Sequence, residues 1–201
     1  MEIKNNKTEN PLAIYRRKYK TLDPAASAAR SGVKYEDGVF TAALLNRTVS
    51  LKWPQITAQY EDGSPVSDTN LILIARYVME GALTPSVGKL LSYPEMPWGP
   101  VYERQFRGRC INRLSGVYGH NPEGFRAACE AVGGIAAEGG DIAYDVELMP
   151  HFTMRLLLWL PDEEFGASAQ ILFSENFPLG FTAEDMAVAG DVLLNAMKGK
   201  W

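Results

Sequence analysis

Between Ile142 and Leu160 the chain carries two alternating runs split by a three-residue break, and this pattern limits the fold more than any other. In residues 142–148, Ile142, Tyr144, Val146 and Leu148 share one face while Ala143, Asp145 and Glu147 share the other. A period of two belongs to a half-buried strand. After Met149-Pro150-His151, residues 152–160 set Phe152, Met154, Leu156, Leu158 and Leu160 on one side, with Leu157 and Trp159 on the second. Apolar residues on both sides predict a central strand covered on both faces. With 149–151 as a hairpin turn the two strands run antiparallel. Gly139-Gly140-Asp141 and Pro161-Asp162-Glu163-Glu164-Phe165 then fall at one end of the sheet, and His151 falls at the other, about nine residues away at ~3.3 Å each.

Helical signals surround this pair. Asn10-Pro11 reads as a cap followed by proline at the first helical position, with Leu12, Tyr15, Tyr19 and Leu22 behind it, and Asp23-Pro24 repeats the start signal. Residues 33–60 read as a small antiparallel meander broken at Asp37-Gly38, Asn46-Arg47 and Trp53-Pro54. Ser67 or Asp68 caps a helix carrying Leu71, Ile72, Ile74, Ala75, Val78 and Met79, which Gly81 ends. A helix is expected from about Gly99 to Tyr118, a short one after Asn121-Pro122, a third strand over 168–173, and a last helix capped by Thr182 with Asp185 in its first turn. The fold class expected is α+β, a mostly antiparallel sheet with helices packed on it. Residues 1–32 are expected to form a basic N-terminal helical arm and 33–201 a single domain.

Composition narrows the function classes. At 46% hydrophobic and 22% charged residues the chain reads as globular. Its longest apolar runs fall far short of the ~20 residues of a membrane span, and the polar N-terminus lacks the apolar core of a signal peptide, so no membrane partner and a cytoplasmic location are expected. Lys and Arg outnumber Asp and Glu 8 to 3 in residues 1–35 and are outnumbered 3 to 11 in residues 138–201. A basic arm followed by an acidic C-terminal third does not suit nucleic acid; a protein partner for the arm fits better. Cys110 and Cys129 sit in amphipathic helical contexts with no CxxC, which predicts two reduced, buried thiols rather than a zinc site or a disulfide. GxSxG, HExxH and GxGxxG are absent, and two histidines, His120 and His151, are too few for a histidine-rich metal site.

Candidate binding residues come from two places. Asp141, Asp162 and Glu164 converge at the sheet end, where carboxylates can hold a hard cation or share a proton. Tyr102, Arg104, Arg107 and Trp98 come from the loop and helix expected opposite, where guanidinium groups suit an anionic ligand and Trp98 could cover an apolar face. The leading expectation is a ligand-binding domain for a small anionic molecule or cofactor. The alternatives are a hydrolase or lyase using a divalent cation or a carboxylate pair, and an interaction module using the basic arm. The cofactor is left unassigned.

The order of Leu71–Met79, Thr84-Pro85, Gly88-Lys89, Ser92-Tyr93, Glu95-Met96-Pro97, Gly99, Tyr102 and Phe106, then Gly133-Gly134, Gly140-Asp141, Met149-Pro150, Trp159, Asp162-Glu163-Glu164-Phe165, Ile171-Leu172-Phe173 and Thr182-Ala183-Glu184-Asp185, resembles a bacterial and archaeal family of unknown function, mostly from anaerobes. The resemblance covers about residues 34–197. Some members carry an added iron–sulfur or corrinoid-protein-like module, so the resemblance implies a link to corrinoid or tetrapyrrole metabolism. No cysteine cluster is present here, and an iron–sulfur centre would belong to a partner. Two positions depart from the family pattern. A Phe-Arg-Glu-Leu-Pro-Gly-Gly-like loop is Tyr93-Pro94-Glu95-Met96-Pro97-Trp98-Gly99 here, and a frequent Asp is Ser174.

Overall fold

The computed structural model describes residues 11–201; the Asn10 cap and the first ten residues of the expected arm lie outside it. The chain is α+β. Strands β1 (Lys34–Glu36), β2 (Val39–Leu44), β3 (Arg47–Lys52) and β4 (Thr57–Tyr60) form an antiparallel meander in sequence order. Its first turn has Asp37 and Gly38 both at positive φ (48° and 79°), the geometry that a tight two-residue hairpin needs. The second sheet holds β5 (Leu90–Ser92), β6 (Ile135–Ala137), β7 (Ile142–Met149), β8 (Phe152–Trp159) and β9 (Ser168–Ser174) in the order β5-β9-β8-β7-β6. Every neighbouring pair is antiparallel. The two sheets meet where Leu45 N donates to Leu148 O at 2.8 Å.

The expected hairpin is present, with β8 in the middle of its sheet. Phe152, Met154, Leu156 and Leu158 are completely buried on the inner face. The second face departs from expectation: Leu157 is buried, but Trp159 is 38% exposed and Thr153 and Arg155 are half-buried. What covers Leu157 is a loop. Glu138–Asp141 folds back over this face, Arg155 Nη1 donates to Glu138 O at 3.3 Å, and a Cβ on Gly139 would lie 2.8 Å from Leu157. The short edge strand β6 carries no alternation across three residues, which hides it from a periodicity reading.

Helices cover the inner face: α3 (Asp68–Glu80), α4 (Gly99–Phe106) running on into α5 (Asn112–Tyr118), and α8 (Ala183–Ala196), with α6 (Pro122–Ala131) and the short α7 (Phe177–Gly180) alongside. Ser67 caps α3 through Asn70 N, and Thr182 and Asp185 form a reciprocal capping box on α8. Between α4 and α5, residues Arg107–Ile111 make a π-helical turn, so the helix expected over 99–118 is continuous but locally widened. Arg109 and Arg113 both reach Asp191 on α8, at 2.8 and 2.5 Å. These pairs, with Tyr93 bonded to Ala183 and Tyr118 to Met197, fix α4–α5 and α8 side by side and parallel.

Helices α1 (Pro11–Lys20) and α2 (Pro24–Ser31) lie against α3. Tyr19 is fully buried in the common core, and Trp53 Nε1 donates to Tyr19 O at 3.1 Å. Arg30 donates to the carbonyls of Val78 and Gly81 at the end of α3. The Tyr77 hydroxyl donates to Ser31 O at 2.8 Å.

Candidate functional site

A cleft of about 390 Å³ opens between the start of α4 and the start of α8, lined by Arg76, Trp98, Val101, Tyr102, Thr182, Ala183 and Glu184. Its volume lies within the ~300–1,000 Å³ of small-molecule sites.

The aromatic wall comes from a tight elbow. Ser92 N and Oγ both donate to the Glu95 carboxylate, at 2.7 and 2.6 Å, closing the single 3₁₀ turn Tyr93–Glu95. These bonds hold the Glu95 carboxyl below its usual range. Tyr93 is buried, stacks on Phe106 at 4.1 Å between ring centroids, and donates to Ala183 O at 2.6 Å, which fastens the elbow to α8. Trp98 then takes a left-handed backbone conformation, φ 64°, immediately before the helix. Gly99 packs so closely that a Cβ there would come 1.9 Å from Tyr93 O. The elbow turns the chain away from the core, leaving Trp98 75% and Val101 62% exposed, with Tyr102 beside them. A large aromatic on a rigid, outward-facing turn is a ready stacking surface.

The floor is charged. Arg76 Nη1 meets Asp185 Oδ1 at 2.7 Å, and the Arg76 guanidinium lies 5.6 Å from the Tyr15 ring centre. Arg76 Nε is buried with no hydrogen-bond partner. A buried donor left unpaired costs about 1–3 kcal/mol. Asp185 is only 5% exposed. Burial pushes its carboxyl up from the usual aspartate value, while the hydrogen bond from Thr182 and the charge of Arg76 pull it back. Glu184 stands exposed at the rim of the cleft and makes no salt bridge among the described residues.

The seven residues singled out from the sequence do not gather at one point. Trp98 and Tyr102 share the cleft. Arg104 and Arg107 are exposed farther along the same helix run, outside the lining, and Arg107 pairs with Glu103 at 3.6 Å. Asp141, Asp162 and Glu164 lie beyond the opposite end of α5: Gly119, just after α5, abuts Ala167, its added Cβ falling 2.3 Å from that of Ala167. The helical run from Gly99 to Tyr118 between them spans about 30 Å at 1.5 Å per residue. Parallel packing of α4–α5 on α8 thus holds Trp98 and Tyr102 at one end and the three carboxylates at the other, with Arg104 and Arg107 partway between.

At that far end two of the three carboxylates, Asp141 and Asp162, are occupied by backbone amides. Leu160 N donates to Asp141 Oδ2 at 2.8 Å, and Glu164 N and Phe165 N donate to Asp162 Oδ1 at 2.8 and 2.7 Å. The bonds from Phe165 and Glu164 hold the Asp162 carboxyl below its usual range. Among the described residues no group of three or more His, Cys, Asp or Glu is placed to hold a metal ion. Cys110 and Cys129 are buried thiols, and desolvation pushes Cys110 up to about 12, far from a reactive thiolate.

Arg76 and Glu184 escaped the sequence reading. Arg76 is the one charge in Leu71–Met79, and a charge inside an otherwise apolar helical run was a signal available in the sequence. Glu184 follows a helix cap, where acids are ordinary, and offered none.

The fold is that of an α+β domain with a cleft of about 390 Å³. Residues 23–196 match the family described as a domain of unknown function, DUF3786, and the chain belongs to that family. No curated protein and no solved structure matches it.

Proposed function

We propose that this protein is a binding domain for a small ligand that joins a flat apolar body to an acidic group. The observation that carries this reading is that an exposed, rigidly held Trp98 and Tyr102 line one cleft with Arg76. The ligand's ring stacks on Trp98 and Tyr102, and its acidic oxygen accepts from Arg76. Aromatic stacking adds about 0.5–1.5 kcal/mol beyond area burial, and a charged hydrogen bond about 1.5–3 kcal/mol. A corrinoid or tetrapyrrole, the class that the sequence resemblance suggests, would lie across the Trp98 rim and place one carboxylate side chain in the cleft.

The test is a thermal-shift screen with aromatic carboxylates, nucleotides, and corrinoid and haem-type compounds. A ligand of the folded state raises Tm by mass action. A shift of several degrees with one acidic class, lost in Trp98→Ala, is the expected result. No shift with any class, or a shift that Trp98→Ala retains, overturns the reading.

A further inference from the structure

We infer that the outer edge of β6 is an interaction surface whose partner is a second copy of this chain, paired strand to strand across a twofold axis. The two sheets have four edges among the described residues, and one of them is unlike the rest. An open edge offers unpaired N–H and C=O groups, and proteins blunt it with charge, proline or covering chain. At β1 the exposed Lys34 and Glu36 bracket the strand and pair at 3.0 Å. At β4 the chain folds back: Pro65 bridges Gln59, and Tyr60 N donates to Ser64 O at 2.9 Å. At β5 the Glu95 carboxylate accepts from Ser92 N at 2.7 Å. β6 has none of these devices. Ile135, Ala136 and Ala137 carry no charge and no proline, and Ile135 is 74% exposed. Among the described residues no hydrogen bond reaches the three from any element but β7.

The edge fits itself. Antiparallel pairing centred on Ala136 sets Ala136 against Ala136, Ile135 against Ala137 and Gly134 against Glu138. Ile135 then covers a small apolar neighbour, and each Glu138 faces a glycine rather than the other Glu138, so no like charges stand directly opposite. A contact of this kind uses the same patch on both copies and closes on itself. It joins two five-stranded sheets into one antiparallel sheet. The helix beside the edge leaves room for it. α6 lies over β7, where Tyr144, the cross-strand neighbour of Ala136, donates to Glu130 at 2.9 Å. The exposed positions of α6 include Ala127 and Ala131, whose side chains are too short to hold a second copy off. Three paired residues per copy make a contact smaller than the about 1,200 Å² of standard complexes, so the dimer is weak and depends on concentration.

The test is sedimentation velocity of the full chain up to about 1 mM, where even a Kd of about 1 mM pairs half of the chains. A monomer–dimer equilibrium is expected. Ile135→Lys adds the edge charge that β1 carries, opposite Asp145 in its own sheet, so the variant should fold. Its dimer should be about tenfold weaker, since the change enters the contact twice. The register is read with Ala136→Cys. A residue on the axis meets its own copy, so mild oxidation should give a disulfide-linked dimer. Lys34→Cys, on the β1 edge, should stay monomeric under the same oxidation, and Cys110 and Cys129 take no part because both are buried. A monomer across the whole concentration range overturns the proposal. So does a dimer that Ile135→Lys leaves as strong as before, or cross-linking no faster at position 136 than at position 34.

Discussion

The two ends of the α4–α5/α8 helix pair each present an exposed aromatic beside carboxylates, yet they differ as chemistry. At one end Trp98 is 75% exposed above Arg76, whose Nε is buried and unpaired. At the other Phe165 is 70% exposed beside Asp162, whose Oδ1 already accepts two backbone N–H groups. The far end has the greater density of acid in sequence, Asp162-Glu163-Glu164. The near end has the cavity. Residue type alone ranks the acidic end first; what each polar group is already bonded to reverses that order.

The contrast can be broken most forcefully at Asp185. Replacing it by alanine leaves Arg76 half-buried without its ion partner and removes half of the α8 capping box. A loss of about 3 kcal/mol in urea unfolding is expected, the scale of breaking one side of a buried pair. A loss below about 1 kcal/mol would mean that Arg76 does not depend on Asp185. Gly99→Ala comes next. Its new Cβ cannot occupy a point 1.9 Å from Tyr93 O, so the elbow must shift, at a cost of about 1–3 kcal/mol. The shift should also change Trp98 fluorescence; an unperturbed spectrum would count against the elbow as the device that sets Trp98.

A matched pair of truncations sharpens the comparison. Trp98→Ala and Phe165→Ala should each leave unfolding free energy within about 0.5 kcal/mol, as exposed positions do. They should differ in the ligand screen, where Trp98→Ala loses the thermal shift and Phe165→Ala keeps it. Identical behaviour of the two variants would dissolve the distinction between the ends.

How far the sequence carried the reading follows the range of the signals involved. Period-two alternation in 142–148 and 152–160 placed β7, β8 and their hairpin, because each is a local pattern that burial enforces over successive residues. The Thr182 cap with Asp185 was equally legible, since capping is settled within four residues. The elbow could be seen only as a departure at Trp98; that Gly99 abuts Tyr93 is a contact no spacing rule supplies. The meeting of Trp98, Tyr102, Arg76 and Glu184 depends on three helices packing side by side, and their registers are set by Tyr93–Ala183 and Asp191 with its two arginines. The same long-range packing separated Asp162 from Arg104 and Arg107, which lie in different elements whose spacing the sequence does not encode locally.

The smallest effect expected is also the cleanest difference between the ends, because two aspartates shift in opposite directions from the same ordinary value of 3.8. Asp185 is raised: burial disfavours its charge. Its contribution to stability is fully present below 3.8 and is lost as pH rises through the higher folded value. Asp162 is lowered: the Phe165 and Glu164 amides favour its charge. Its contribution is present above 3.8 and is lost as pH falls through the lower folded value. Carboxyl carbon shifts followed by NMR should therefore show Asp185 titrating before Asp162 on acidification. In urea unfolding, Asp162→Asn should lower stability near neutrality, where the contribution is fully present, and flatten the profile below pH 3.8. If Asp162 titrated first, its carboxylate would not be held by the turn, and the acidic end would regain its standing as a place where a ligand could find free oxygens.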